Sequence, residues 1–170
     1  GKVAAFRCLF APEEVIWAAG MLPYPLPGTP EPVRLADAWM QPCTCEYVRN
    51  ILDHALDGRL EFLDMLALSN TCDVTRRLLD VWPECMPGVP VHLVNNPQKL
   101  LDESNREYFQ EELRRFQARA EEVSGRAITT EALRDAIALY DETRTLLREL
   151  YATRREDPPR LTGSEAFAAA

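Results

Sequence analysis

The chain has 170 residues, of which 46% are hydrophobic, enough for one core of ordinary size and too few for two. Its 27 acidic residues outnumber 19 basic ones for a net charge of -8, and no lysine- or arginine-rich block occurs, which speaks against nucleic acid as a partner. The longest nearly apolar stretch, residues 15–26, is interrupted by Gly20, Pro23 and Pro25, and no signal-peptide pattern opens the chain; the expectation is a cytoplasmic protein without a membrane partner.

Val3 to Phe10 reads as a buried strand. Pro12-Glu13-Glu14 then opens a helix, with proline in the first turn and carboxylates facing the positive end of the helix dipole, and the helix ends near Gly20. Met21 to Leu26 is a short extended segment punctuated by prolines, followed by a loop from Pro27 to Pro32. From Cys45 to Leu56 the apolar residues Val48, Ile51, Leu52 and Ala55 recur at helical spacing and stop at Asp57-Gly58. Phe62 to Leu68 has the length of a strand. Val74, Leu78, Leu79 and Trp82 continue as a helix with a stop at Pro83, and Val89 to Val94 is a further strand. This alternation predicts an α/β fold: a parallel sheet of about four strands in a Rossmann-like three-layer arrangement, followed by long C-terminal helices. The helical stripes are Phe109, Leu113, Phe116, Ala120 and Val123, then Leu133, Ile137, Tyr140, Leu147 and Leu150, with Gly125 between them. The expected division is an α/β domain over 1–100, a helical segment packing on it over 101–156, and a linker with the start of a further domain over 157–170. Both ends read as cut, and a piece of a longer polypeptide is expected.

Five cysteines, an odd number in a chain without secretory features, argue against a disulfide framework. Cys45 and Cys72 both fall where a loop enters a helix, the edge of a parallel sheet at which ligands gather. Helix N-termini favour thiolates and negative charge, so the two suit a metal-thiolate cluster; buried small residues are the alternative. Cys43 and Cys45 have the spacing of a zinc or redox pair, without a second pair from the isolated His54 and His92. Cys8 is expected mid-strand in the core, and Cys85 in a loop between Pro83 and Pro87. Glu13 and Glu14 are candidates for a general base, or for plain stabilisation of the helix dipole. No dinucleotide fingerprint, Walker loop, nucleophile elbow or His-Glu-x-x-His is present.

Pro12-Glu13-Glu14-Val15-Ile16-Trp17-Ala18-Ala19-Gly20-Met21-Leu22-Pro23, Cys45-Glu46-Tyr47-Val48-Arg49-Asn50 and Asn70-Thr71-Cys72-Asp73 resemble the 2-hydroxyacyl-CoA dehydratase and benzoyl-CoA reductase family in order and spacing. The likeness continues through Tyr108-Phe109-Gln110-Glu111-Glu112-Leu113, Gly125-Arg126-Ala127-Ile128-Thr129 and Pro158-Pro159-Arg160-Leu161-Thr162-Gly163. The resemblance implies a subunit of two related α/β domains that holds a 4Fe-4S cluster with three cysteines. Two of these carry over to Cys45 and Cys72, with Cys43 the alternative to Cys45, and the third lies outside this sequence. It further implies a homologous second subunit, an ATP-hydrolysing iron-sulfur activator protein and an acyl-CoA substrate. The chemistry implied is one-electron reduction of the thioester, leading through a ketyl radical to dehydration or, in the reductases, to reduction of an aromatic ring. Of the two helix-start carboxylates, Glu14 is the candidate for the catalytic role, apart from the resemblance. A non-catalytic partner subunit on the same fold is the competing expectation, and the 170-residue chain alone is expected to be inactive.

Overall fold

A computed structural model describes residues 1–99 and 102–169. The boundary expected between 100 and 101, and the last residue, 170, lie outside them. Four parallel strands, β1 (Val3–Arg7), β2 (Leu22–Pro25), β3 (Met65–Ser69) and β4 (Val91–Val94), form one sheet in the order β2-β1-β3-β4. Helices α1 (Glu13–Ala18), α2 (Glu46–Leu56) and α3 (Asp73–Cys85) follow β1, β2 and β3, and the long α4 (Glu103–Ser124) and α5 (Thr130–Ala152) come after β4. A short α6 (Gly163–Ala169) ends the described chain.

Alternation along the strands assigns the layers. Ala5, Leu66 and Leu68 face α2 and α3, where they pack with Ile51, Leu52, Leu78 and Trp82; Ala4, Phe6, Met65 and Ala67 face α1, α4 and α5, where they pack with Ile16, Phe116, Ala120 and Ala136. The long C-terminal helices therefore share a core with the sheet. Gly125, at φ 72° past the end of α4, makes the turn between them, and its N–H donates to the Glu121 carbonyl at 2.8 Å. Buried Glu112 fastens α4 to the sheet, since its carboxylate accepts from the backbone and side-chain N–H groups of Asn95 at 3.1 and 2.9 Å, and from Arg115 at 3.0 Å.

Several expected boundaries shift, among them the start of β4, at Val91 and not Val89. β1 stops at Arg7 because Cys8 turns the chain at φ 87°; Cys8 is therefore a half-buried residue at the carboxyl end of the strand, not a mid-strand core residue. β3 begins at Met65, leaving Phe62 half exposed against Tyr24. α3 runs through Pro83 to Cys85: proline's φ suits a helix, and in the last turn its missing N–H costs only one bond. Cys85 thus closes a helix and is no loop residue. Strand β2 tolerates its prolines because it lies at the sheet edge. The flanking Leu22 and Leu26 N–H groups donate to Lys2 and Phe6, and Pro23 and Pro25 occupy the alternate positions whose nitrogens face away from β1.

The connection from β2 to α2 is long and is organised by the buried face of α2. Asp53 accepts backbone N–H groups of Arg34, Leu35 and Ala36 at 2.7, 3.0 and 2.6 Å, and Asn50 accepts the Thr29 N–H and donates to the Glu31 carbonyl. Asp53→Ala leaves those three donors without their acceptor in a largely dry setting. The expected loss is about 2–3 kcal/mol of unfolding free energy in urea titration, whereas the exposed ion-pair variant Asp80→Ala changes it by less than about 0.5 kcal/mol.

Candidate metal centre at the carboxyl edge of the sheet

The strand order reverses between β1 and β3. From β1 the chain crosses to β2 through α1 on one face, then returns past β1 to β3 through α2 on the other, so the loops after β1 and β3 diverge and leave a crevice at the carboxyl edge. Cys72 is the N-cap of α3 and Cys45 the N-cap of α2. Both helices lie in the same layer. Neither thiol caps its own helix by a hydrogen bond, and both are exposed.

Arg7, the last residue of β1, connects the two helix starts. It sits on the α2/α3 side of the pleat, with Nη1 donating to Thr75 Oγ1 at 2.8 Å and to Cys72 Sγ at 3.9 Å, and its guanidinium lies over the ring of Tyr47 in the first turn of α2, 5.4 Å from the centroid. Tyr47 is itself fixed, as its hydroxyl donates to the Leu26 carbonyl at 2.6 Å and its ring lies against Gly28, where a Cβ would come within 2.3 Å of the ring. Cys72 Sγ is 3.1 Å from Thr75 Oγ1. Burial raises the Cys72 thiol, but Thr75 and the Arg7 charge together outweigh it and hold the thiol below its ordinary value. Around this pair, Cys8 Sγ accepts from the Thr71 hydroxyl at 3.6 Å, and Leu9 and Phe10 stand exposed on the adjoining loop.

The other candidates are placed as follows. Cys43 lies exposed in the turn from Gln41 to Thr44, two residues before the cap, with its thiol 3.6 Å from Gln41 Oε1. Glu14 is on the opposite layer, ion-paired with Arg144 of α5. Next to it, burial and the Glu14 charge raise the Glu13 carboxyl, against the lowering influence of Arg144. Burial, with Glu13 and Glu14, pushes Tyr140 on α5 up to about 12. Glu14 therefore already has a counter-ion, and Glu13 is the carboxyl with the strengthened hold on its proton. Burial and Glu84 raise Cys85, and His54 is bonded to Thr29 and Arg59 inside the loop that α2 organises.

The residues fit a thiolate-bound group at this edge. The buried side-chain polar atoms without a partner among the described residues are Arg7 Nε, Ser69 Oγ and Asn96 Oδ1, and all belong to the carboxyl ends of β1, β3 and β4. No set of three His, Cys, Asp or Glu side chains among the described residues is close enough to hold a metal ion. A cleft of about 420 Å³ lined by Trp39, Gln41, Thr44, Asp73 and Arg77 borders both helix starts. A larger cavity of about 650 Å³, lined by Lys2, Trp17, Gly20, Leu22 and Arg126, opens at the amino ends of β1 and β2, away from both cysteines. Parallel-sheet geometry favours the first as the binding edge.

Arg7 and Thr75 carry no sequence motif. The available signal is a cation closing an otherwise apolar strand, in register with Ala5 on the α2/α3 side. In the metal-free chain, thiolate forms at Cys72 at lower pH than at Cys85; below about pH 8, iodoacetamide labelling followed by mass spectrometry is expected to mark Cys72 well before Cys85, and equal labelling profiles would remove the role given to Thr75 and Arg7.

Residues 8–170 match the family model described as 2-hydroxyglutaryl-CoA dehydratase, D-component. A benzoyl-CoA reductase subunit from Thauera aromatica is 32% identical over 168 residues, 98% of this chain and 44% of that protein. The beta subunit of (R)-2-hydroxyglutaryl-CoA dehydratase from Acidaminococcus fermentans is 28% identical over 165 residues, 94% of this chain and 43% of that protein. The (R)-phenyllactyl-CoA dehydratase beta subunit of Clostridium sporogenes is 27% identical over 141 residues, covering 83% of this chain and 38% of that protein. The chain spans less than half the length of these relatives. No described helix is long and apolar enough to cross a membrane. With a match that extends over almost all of its residues, the chain belongs to the 2-hydroxyglutaryl-CoA dehydratase D-component family.

Proposed function

We propose that this chain is the N-terminal part of an iron-sulfur subunit of a 2-hydroxyacyl-CoA dehydratase-type enzyme, and that Cys45 and Cys72 are two of the ligands of its 4Fe-4S cluster. The observation that carries this is their equivalent placement. Each opens a helix in one layer at the carboxyl edge of the sheet, and Arg7 touches Cys72 on one side and the first turn of α2 on the other. When bound, such a cluster supplies a low-potential electron and an iron site open to the thioester carbonyl. The chain's own part is to present two thiolates, fix their separation through two packed helices, and border the cleft beside them with Thr44 and Asp73. The third thiolate, a homologous subunit and an ATP-hydrolysing activator come from outside the chain.

Cys45 is preferred to Cys43 because Cys45 is the helix cap and Cys43 lies in the preceding turn. In the complete anaerobic subunit, Cys45→Ser and Cys72→Ser are each expected to lose most of the bound iron and sulfide, whereas Cys8→Ser, Cys43→Ser and Cys85→Ser keep it. Loss of iron in Cys43→Ser with retention in Cys45→Ser would move the ligand to Cys43.

A benzoyl-CoA reductase-type role is the second reading, favoured by the 32% identity that spans 98% of the chain. The two are separated by incubating the subunit anaerobically with its partner subunit, activator, ATP and reductant on a 2-hydroxyacyl-CoA and on an aromatic acyl-CoA. Turnover of the hydroxyacyl thioester alone is the expected result. Turnover of the aromatic one alone selects the reductase, and turnover of neither with full iron loading selects a non-catalytic partner subunit. The 170-residue chain by itself is expected to be inactive on both.

A further inference from the structure

We propose that Arg7 is the counter-charge of the thiolate at Cys72 and a positioning residue for the cluster, raising its reduction potential by holding a fixed positive charge against the ligand sulfur. The inference rests on the cluster proposed above and adds a residue to it.

Arg7 differs from the other half-buried arginines. Arg49 pairs with Asp37 and Arg119 with Glu122. Among the described residues no carboxylate lies within ion-pair distance of Arg7; it has Thr75 Oγ1, the Cys72 sulfur and the face of Tyr47, and its buried Nε has no partner. A guanidinium is charged at any working pH, and a half-buried one without an anion is costly unless the missing charge arrives with a ligand. The N-terminal ends of α2 and α3 add positive partial charge at the same place. The edge is therefore preset for a negative group, and the contact to Cys72 directs that preference at the sulfur.

The physical consequence concerns oxidation state more than occupancy. One-electron reduction adds a negative charge to a thiolate-ligated cluster, so a cation beside a ligand sulfur stabilises the reduced form more than the oxidised one. Tyr47 and Thr75 keep the guanidinium from turning to solvent. Tyr47 is anchored to the Leu26 carbonyl and seated on Gly28, and Thr75 is fully buried.

The test uses the full-length subunit prepared anaerobically, with iron and sulfide analysis and a redox titration followed by electron paramagnetic resonance. Arg7→Gln is expected to keep the parent's iron content and to shift the midpoint potential to a more negative value. Arg7→Lys keeps the charge and is expected to stay nearer the parent than Arg7→Gln; Arg7→Met, which removes the charge and keeps an apolar stem, decides the matter if Arg7→Gln does not fold. An unchanged midpoint in a fully loaded Arg7→Gln, or in Arg7→Met where that is the folded charge-free variant, overturns the proposal. So does an unchanged midpoint accompanied by a raised KM for the acyl-CoA, which would make Arg7 a substrate contact instead. A parent protein that holds no iron is a different failure, that of the cluster assignment itself.

Discussion

Everything at the carboxyl edge depends on β1 lying between β2 and β3 with all three parallel. Because β1 pairs on both sides, its neighbours are reached by crossovers on opposite faces, and the loops leaving β1 and β3 part from each other instead of closing. Two helix starts then stand next to a strand end. A residue at the end of β1 can reach both without any long excursion, and Arg7 does so from a backbone position set by the register of Arg7 opposite Leu68.

The electrostatics follow from that placement. A protein with net charge -8 has gathered, at one point, a guanidinium with no carboxylate partner among the described residues and two helix N-termini, whose first-turn carboxylates Glu46 and Asp73 are exposed. On the other face, Glu13, Glu14, Tyr140 and Arg144 form a separate group whose internal pairing is complete except for the proton that Glu13 holds more firmly. The two faces of one edge thus differ in kind: one is poised for an anion, the other is largely self-neutralised.

Local physics suffices to read the four strands, the layer order and the helix starts at Cys45 and Cys72, since each rests on periodicity or on turn chemistry within a few residues. What escapes such a reading depends on the chain meeting itself again. Cys8 has no sequence mark for its positive φ, and the shortened strand places it at the edge instead of in the core. Asp53 sits among the apolar residues of α2 as if misplaced, until three N–H groups from a loop some twenty positions earlier in the chain close on it. Arg7 reads as an ordinary strand end; its importance comes from contacts with residues 47, 72 and 75. Glu14 stands out in sequence for its position at a helix start, whereas its tie to Arg144 crosses most of the chain.

The prolines of β2 bear on assembly. With Pro23 and Pro25 turning donor-less nitrogens outward, this border of the sheet lacks the N–H groups that a foreign strand needs in order to dock and continue the ladder. Strand-to-strand addition is blocked on that side, a safeguard against fibre-like stacking of exposed edges. A companion protein that approaches this border must therefore meet it through side chains, and the rim that carries Leu9, Phe10 and the two cysteines offers exposed ones.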